Sequence, residues 1–125
     1  MNTRSGESCI NTILLVDDHS CVRDPLEAFL QMSDYHILTA ENADEAFEHL
    51  NKTHIDLMVT NINMPGMDGI ELTRHVTEQY KIKVIVTTGM HHLQDEALAA
   101  GAIEFVKKPV RFERFLKLVK SILSE

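Results

Sequence analysis

Apolar residues along this chain fall into two alternating patterns. Short, nearly continuous runs occupy Thr12 to Val16, Tyr35 to Thr39, Ile55 to Thr60, Lys83 to Gly89 and Ala102 to Val106. Runs of this length, rich in β-branched residues and ending abruptly in acids, hydroxyls, Gly or Pro, predict strands, and the most apolar of them predict strands buried on both faces. Between them, apolar residues recur at helix spacing: Val22, Leu26, Phe29 and Leu30; Ala46, Phe47 and Leu50; Leu72 and Val76; Leu93 to Ala100; and Phe112, Phe115, Leu116, Val119, Ile122 and Leu123. About five strands alternating with about five helices predict a single doubly wound parallel sheet, with right-handed crossovers and helices on both faces.

Capping residues sharpen several boundaries. Asn42 with Glu45, and Asp68 with Glu71, have the spacing of capping boxes that open helices. Gly101 stands where a helix ending at Ala100 needs a C′ glycine. Pro25 leaves two solutions for the first helix, which runs to about Met32. It begins either at Pro25, capped by Asp24 with Glu27 as box partner, or near Ser20 with a distorted first turn.

In a parallel sheet the carboxyl ends of the strands share one edge, where α/β proteins bind ligands. The strand ends here supply Asp17 and Asp18, then Asn61, then Thr88, then Lys108. An isolated Asp-Asp reads as solvated loop. Directly behind a buried strand, two adjacent acids are costly without a cation. Acids, a hydroxyl and an ammonium on one edge suit a phosphoryl group held by a divalent cation. Mg²⁺ prefers such oxygen ligands, and the hydroxyl and ammonium would bind phosphoryl oxygens.

Composition narrows the classes. A length of 125 residues is one domain's worth, and 44% hydrophobic with 25% charged residues is ordinary for a globular protein. The net charge of −7 argues against direct nucleic-acid binding. No apolar run is long enough to span a bilayer, and Cys9 and Cys21 without a CxxC fit reduced thiols in a cytoplasm. Residues 1–10 are expected to be a flexible tail, and residues 11–125 the domain.

From Asn11 to Leu123 the chain resembles a response-regulator receiver domain of two-component phosphorelay signalling. The resemblance rests on Leu14-Leu15-Val16-Asp17-Asp18, the loop Asn61 to Gly69, Val86-Thr87-Thr88-Gly89, and Phe105-Val106-Lys107-Lys108-Pro109, in that order and spacing. It implies a flavodoxin-like sheet of order 2-1-3-4-5, with no enzyme activity of its own. It also implies a phosphoryl group arriving from a histidine kinase or phosphotransfer protein onto an Asp at the end of the third strand. The resemblance makes Asp17, Asp18, the residue at position 61 and the carbonyl of Asn63 the Mg²⁺ site. It makes Thr88 the switch hydroxyl, Lys108 the phosphate-pairing lysine and Phe105 the aromatic that reports the switch. It makes Lys108-Pro109 a bond usually cis, and the fourth helix, fifth strand and fifth helix a face for a second receiver or an effector.

The departure is Asn61, where the family pattern has the acceptor Asp. An acceptor must present a nucleophilic carboxylate oxygen, and a carboxamide does not. Mg²⁺ loses an anionic ligand and should bind more weakly, while repulsion among three carboxylates is relieved, so the metal-free domain should be more stable than its Asn61→Asp variant. Three readings compete: a natural pseudo-receiver that acts by binding, an engineered Asp→Asn variant, or an active receiver phosphorylated elsewhere, such as at Thr60 or Thr88. A flavin carrier would need a Gly/Ser/Thr-rich phosphate loop where this chain has Asp17-Asp18-His19-Ser20. A haloacid-dehalogenase-like phosphatase would need a second acid two residues after its nucleophilic Asp, where this chain has His19. His91-His92 reads as solvated loop and Cys21 as a core or helix-start residue. The basic run Lys107, Lys108, Arg111, Arg114, Lys117 and Lys120 reads either as a solvated face or as a docking surface, with Asp95 and Glu96 as possible pairs for Arg111 or Arg114 across it.

Overall fold

The computed structural model describes residues 10–124, so nearly all of the expected tail, with Cys9, lies outside the described residues. The strands are β1 (Thr12–Val16), β2 (His36–Ala40), β3 (Leu57–Asn61), β4 (Lys83–Thr88) and β5 (Glu104–Lys107), all parallel in the order β2-β1-β3-β4-β5. The crossover helices are α1 (Ser20–Gln31), α2 (Ala43–Lys52), α3 (Gly69–His75) and α4 (Gln94–Ala99), and α5 (Phe112–Leu123) follows β5. This is the fold class that the hydrophobic pattern predicts.

Two-sided burial explains the continuous apolar strands. Leu14, Val16, Met58, Val84 and Val86 face Ala46, Leu50, Leu72, Val76 and Ala97 of α2, α3, its continuation and α4. Their neighbours Ile13, Leu15, Leu57, Val59 and Ile85 face Leu26, Leu30, Phe115, Val119 and Ile122 of α1 and α5. Each of the Val, Leu, Ile, Met and Phe side chains among these contributes about 1.5–3 kcal/mol through burial.

The open choice at Pro25 resolves toward Ser20: α1 starts there and carries Pro25 inside it. The lost N–H bond is tolerated because the first turn is anchored independently. Val22 N and Arg23 N both donate to the His19 carbonyl, and the Arg23 guanidinium donates to the Asp17 carbonyl at 2.6 Å. Val22, expected on the inner face, is 36% exposed beside that anchored turn. The Asn42 cap accepts from Glu45 N as expected, but Glu45 reaches back to Glu41 N, one residue before the cap. Asp68 caps α3 by accepting from Glu71 N. The predicted third helix is α over Gly69–His75 and π over Val76–Tyr80, where Thr77 Oγ1 donates to the Ala100 carbonyl at 3.0 Å. Gly101 adopts φ +112° beyond α4, as a C′ glycine does. Cys21 is a free, exposed thiol in the first turn of α1.

At the opposite edge from the strand ends, Asp56 fastens β1 to β3. Its Oδ2 accepts from Thr12 N at 2.8 Å, its N donates to the Thr12 carbonyl, and its Oδ1 pairs with His54 Nε2 at 3.0 Å. Asp56→Ala leaves Thr12 N without its partner and is expected to cost about 1–2 kcal/mol. Urea denaturation reads this as a lower midpoint at unchanged slope.

Candidate functional site

The carboxyl edge of the sheet gathers the residues singled out from the sequence, and backbone pairing sets most of their positions. β1 runs out into Asp17, whose N donates to the Ala40 carbonyl. Asp17 is buried and fully engaged: Oδ1 accepts from His19 N at 2.9 Å and Oδ2 from Lys108 Nζ at 3.2 Å. Asp18, next along, is half-buried. β3 ends on Asn61, which pairs with Thr87 of β4. Lys108 follows β5, and its N donates to the Thr88 carbonyl at 2.9 Å. The Lys108-Pro109 bond is cis, as the resemblance implies.

Asn61 is 5% exposed and occupies the middle of this group. Its Nδ2 donates to the Asn63 carbonyl at 3.0 Å and reaches Asp18 Oδ1 at 3.5 Å. Its Oδ1 accepts from Lys108 Nζ at 3.2 Å. The electrostatics fix this orientation. With the carboxamide turned round, its NH₂ would face the Lys108 ammonium and its oxygen would face a carboxylate and a carbonyl. Lys108 thus bridges Asp17 and Asn61 with one ammonium.

Asp17, Asp18, Asn61 and Lys108 of the strand-end reading, and Asn63 named by the family resemblance, therefore lie in one cluster. Thr88 meets the cluster only through its backbone carbonyl, which accepts from Lys108 N, and among the described residues its side chain makes no hydrogen bond to the others. Thr88 is 2% exposed, and its hydroxyl accepts from Met90 N at 3.1 Å. Phe105 is half-buried against the core on the α2–α4 side. Thr60 is fully buried, its hydroxyl donating to the Asn61 carbonyl at 2.9 Å. The pairs imagined between Asp95 or Glu96 and Arg111 or Arg114 are not formed within the chain among the described residues, and all four are exposed.

Sequence reasoning passed over His19. Its Nδ1 lies 3.1 Å from Asp18 Oδ1 and 3.4 Å from Asp17 Oδ1, with the ring 59% exposed. The signal was present as Asp-Asp-His at a strand end, three side chains whose ligand atoms lie within 4.8 Å of one another.

The donors test the expected cation. Two carboxylates and the Asn63 carbonyl are hard oxygen ligands that suit Mg²⁺. Asn61 does not fit as it stands, because it turns an N–H donor, not a lone pair, toward the Asp18 carboxylate and the Asn63 carbonyl.

The chain matches the response regulator receiver domain family over residues 13–120. The transcriptional regulatory protein ResD of Bacillus subtilis is 33% identical over 113 residues, 89% of this chain and 47% of that protein. Response regulator GtcR of Aneurinibacillus migulanus is 32% identical over 100 residues, 78% of this chain and 41% of that protein. The chain thus spans less than half the length of these relatives. The crystal structure of a CheY-like response regulator receiver domain protein from Methanospirillum hungatei superposes with a TM-score of 0.87 at 27% identity, covering 93% of this chain and 95% of that one. The chemotaxis response regulator CheY4 of Vibrio cholerae gives 0.84 at 28%, covering 91% and 99%.

Proposed function

The chain belongs to the response regulator receiver domain family, and from that premise we propose that it is a pseudo-receiver, holding Asn61 at the phosphoacceptor position and acting through protein–protein contact. One observation carries the reading: Asn61 stands at the end of β3 between Asp18 and Lys108, where an acceptor carboxylate would have to stand. A carboxylate there would attack the phosphorus of a phosphohistidine, forming the acyl phosphate as the N–P bond breaks and the imidazole leaves. The amide oxygen is a poor nucleophile, and it already accepts from the Lys108 ammonium.

In this reading Lys108 is the group that would pair with a phosphoryl oxygen, and Thr88 and Phe105 are the elements able to respond to one. Asp17, Asp18 and the Asn63 carbonyl would hold Mg²⁺, which when bound would offset the charge of phosphoryl oxygens. With Asn61 as the remaining neighbour that site is weakened. A substitute acceptor at Thr60 or Thr88 is opposed by their burial, at 0% and 2% exposed. A flavodoxin-like ligand carrier is opposed by the acids lining the edge, which repel a phosphate-bearing cofactor.

The partners are a histidine kinase or phosphotransfer protein at this edge, and a second receiver or an effector on the face of α4, β5 and α5. That face exposes Leu98 and Ile103 beside Asp95, Glu96, Arg111 and Arg114. No helix among the described residues is long and apolar enough to cross a membrane, which suits a cytoplasmic domain over residues 11–125.

Incubation of the native chain with Mg²⁺ and acetyl phosphate is expected to leave its intact mass unchanged. A gain of one phosphoryl group, wherever it maps, would contradict the reading.

A further inference from the structure

We propose that the Asn61 carboxamide takes over the structural work of the cation. The strand-end edge is then assembled without Mg²⁺, and a divalent ion competes with Asn61 instead of completing the site. The inference rests on Asn61 being at the acceptor position, and it adds a state: an edge held together without metal.

The argument is one of matching partners. A cation at this edge would draw together the Asp18 carboxylate and the Asn63 carbonyl. The two N–H bonds of Asn61 Nδ2 are directed at those same groups, at 3.5 and 3.0 Å. A carboxylate would turn lone pairs toward both and would need an ion between them. The amide instead presents positive hydrogen to both, the shorter bond to Asn63 being the stronger.

The remaining atom completes the bridge. Asn61 Oδ1 accepts from Lys108 Nζ, whose ammonium also lies 3.2 Å from Asp17 Oδ2. One buried side chain therefore ties the end of β1, the loop after β3 and the segment after β5. Binding Mg²⁺ through the amide oxygen would require turning the carboxamide over. That breaks the bond to Asn63 and sets the NH₂ against Lys108. Because these contacts already hold Asp18, Asn63 and Lys108 in place, a partner reading this edge meets the same surface with or without metal.

The test is a titration of the ¹⁵N-labelled native chain with magnesium chloride, followed by NMR at the Asn61 side-chain NH₂ and the backbone amides of Asp17, Asp18 and Asn63. The Asn61 NH₂ pair is expected to stay sharp and unshifted at Mg²⁺ concentrations that move the backbone amides of the Asn61→Asp variant. Affinity for Mg²⁺ is expected to be lower by about tenfold or more in the native chain, the weight of a broken hydrogen bond and a missing charge. Native binding as tight as that of the variant, or an Asn61 NH₂ pair that shifts at the Mg²⁺ concentrations that saturate the variant, would overturn the proposal. The native titration stands alone if the variant does not fold. Failure of the pseudo-receiver reading is separately visible, as phosphoryl mass gained by the native chain.

Discussion

Asn61→Asp is expected to lower the stability of the metal-free domain by about 2–3 kcal/mol at neutral pH and low salt. The substitution removes the Asn61 Nδ2 donor from between Asp18 and the Asn63 carbonyl and puts lone pairs in its place, 3.0 Å from one oxygen and 3.5 Å from another. Two like charges about 4 Å apart repel by roughly 4 kcal/mol at an effective dielectric near 20. Lys108, already 3.2 Å from the side chain at position 61 and equally near Asp17, offsets part of this by pairing with the new charge. Mg²⁺ should then raise the variant's stability by mass action, because it binds the folded state through ligands that the unfolded chain does not assemble. Thermal unfolding of both proteins with and without Mg²⁺ measures the effect. Equal stability of the two metal-free proteins would show that the carboxamide contributes nothing to this edge.

Gly69→Ala is expected to cost about 2–4 kcal/mol, despite the roughly 1 kcal/mol that Ala gains over Gly in a helix. A Cβ at position 69 would collide with the Asn61 carbonyl oxygen and would lie 2.8 Å from its carbon and 2.9 Å from Ile62 Cα. All three obstacles are backbone, so no side chain can swing aside. The approach is this close because Gly69 N donates to the Ile62 carbonyl at 2.8 Å while Gly69 opens α3. Relief of the clash must move either the start of α3 or the end of β3, and the second displaces Asn61 itself. Chemical denaturation gives the stability loss, and altered amide shifts at Asp18 and Lys108 would show that it reaches the site. A variant as stable as the native chain would mean that the α3 entry is soft.

Legibility from sequence followed the reach of the forces involved. The parallel strands and the layers were readable because two-sided burial leaves continuous apolar runs and alternation with helices admits few topologies, whereas the strand order came from the family resemblance. The cluster at the sheet edge was readable because a parallel sheet brings strand ends together whatever the loops do. Pro25 was ambiguous because its local cost is outweighed by contacts far away in sequence, with Leu26 and Leu30 buried and Arg23 holding the Asp17 carbonyl. The π segment after His75 depends on Thr77 meeting Ala100, just past the end of α4, which no local pattern encodes. Within the site, residue types were visible but directions were not. That Asn61 donates toward Asp18 and Asn63, that His19 folds back on both acids, and that Thr88 is engaged by Met90 N all follow from loop paths and rotamers.

The most direct test of the central claim is the intact mass of the native chain and of Asn61→Asp, incubated side by side with Mg²⁺ and acetyl phosphate, with any added group located by fragmentation. A phosphoryl group gained by the variant alone, and mapped to position 61, is the predicted result: a receiver site competent but for one residue. Phosphorylation of the native chain would contradict it, and so would a folded variant that gains nothing.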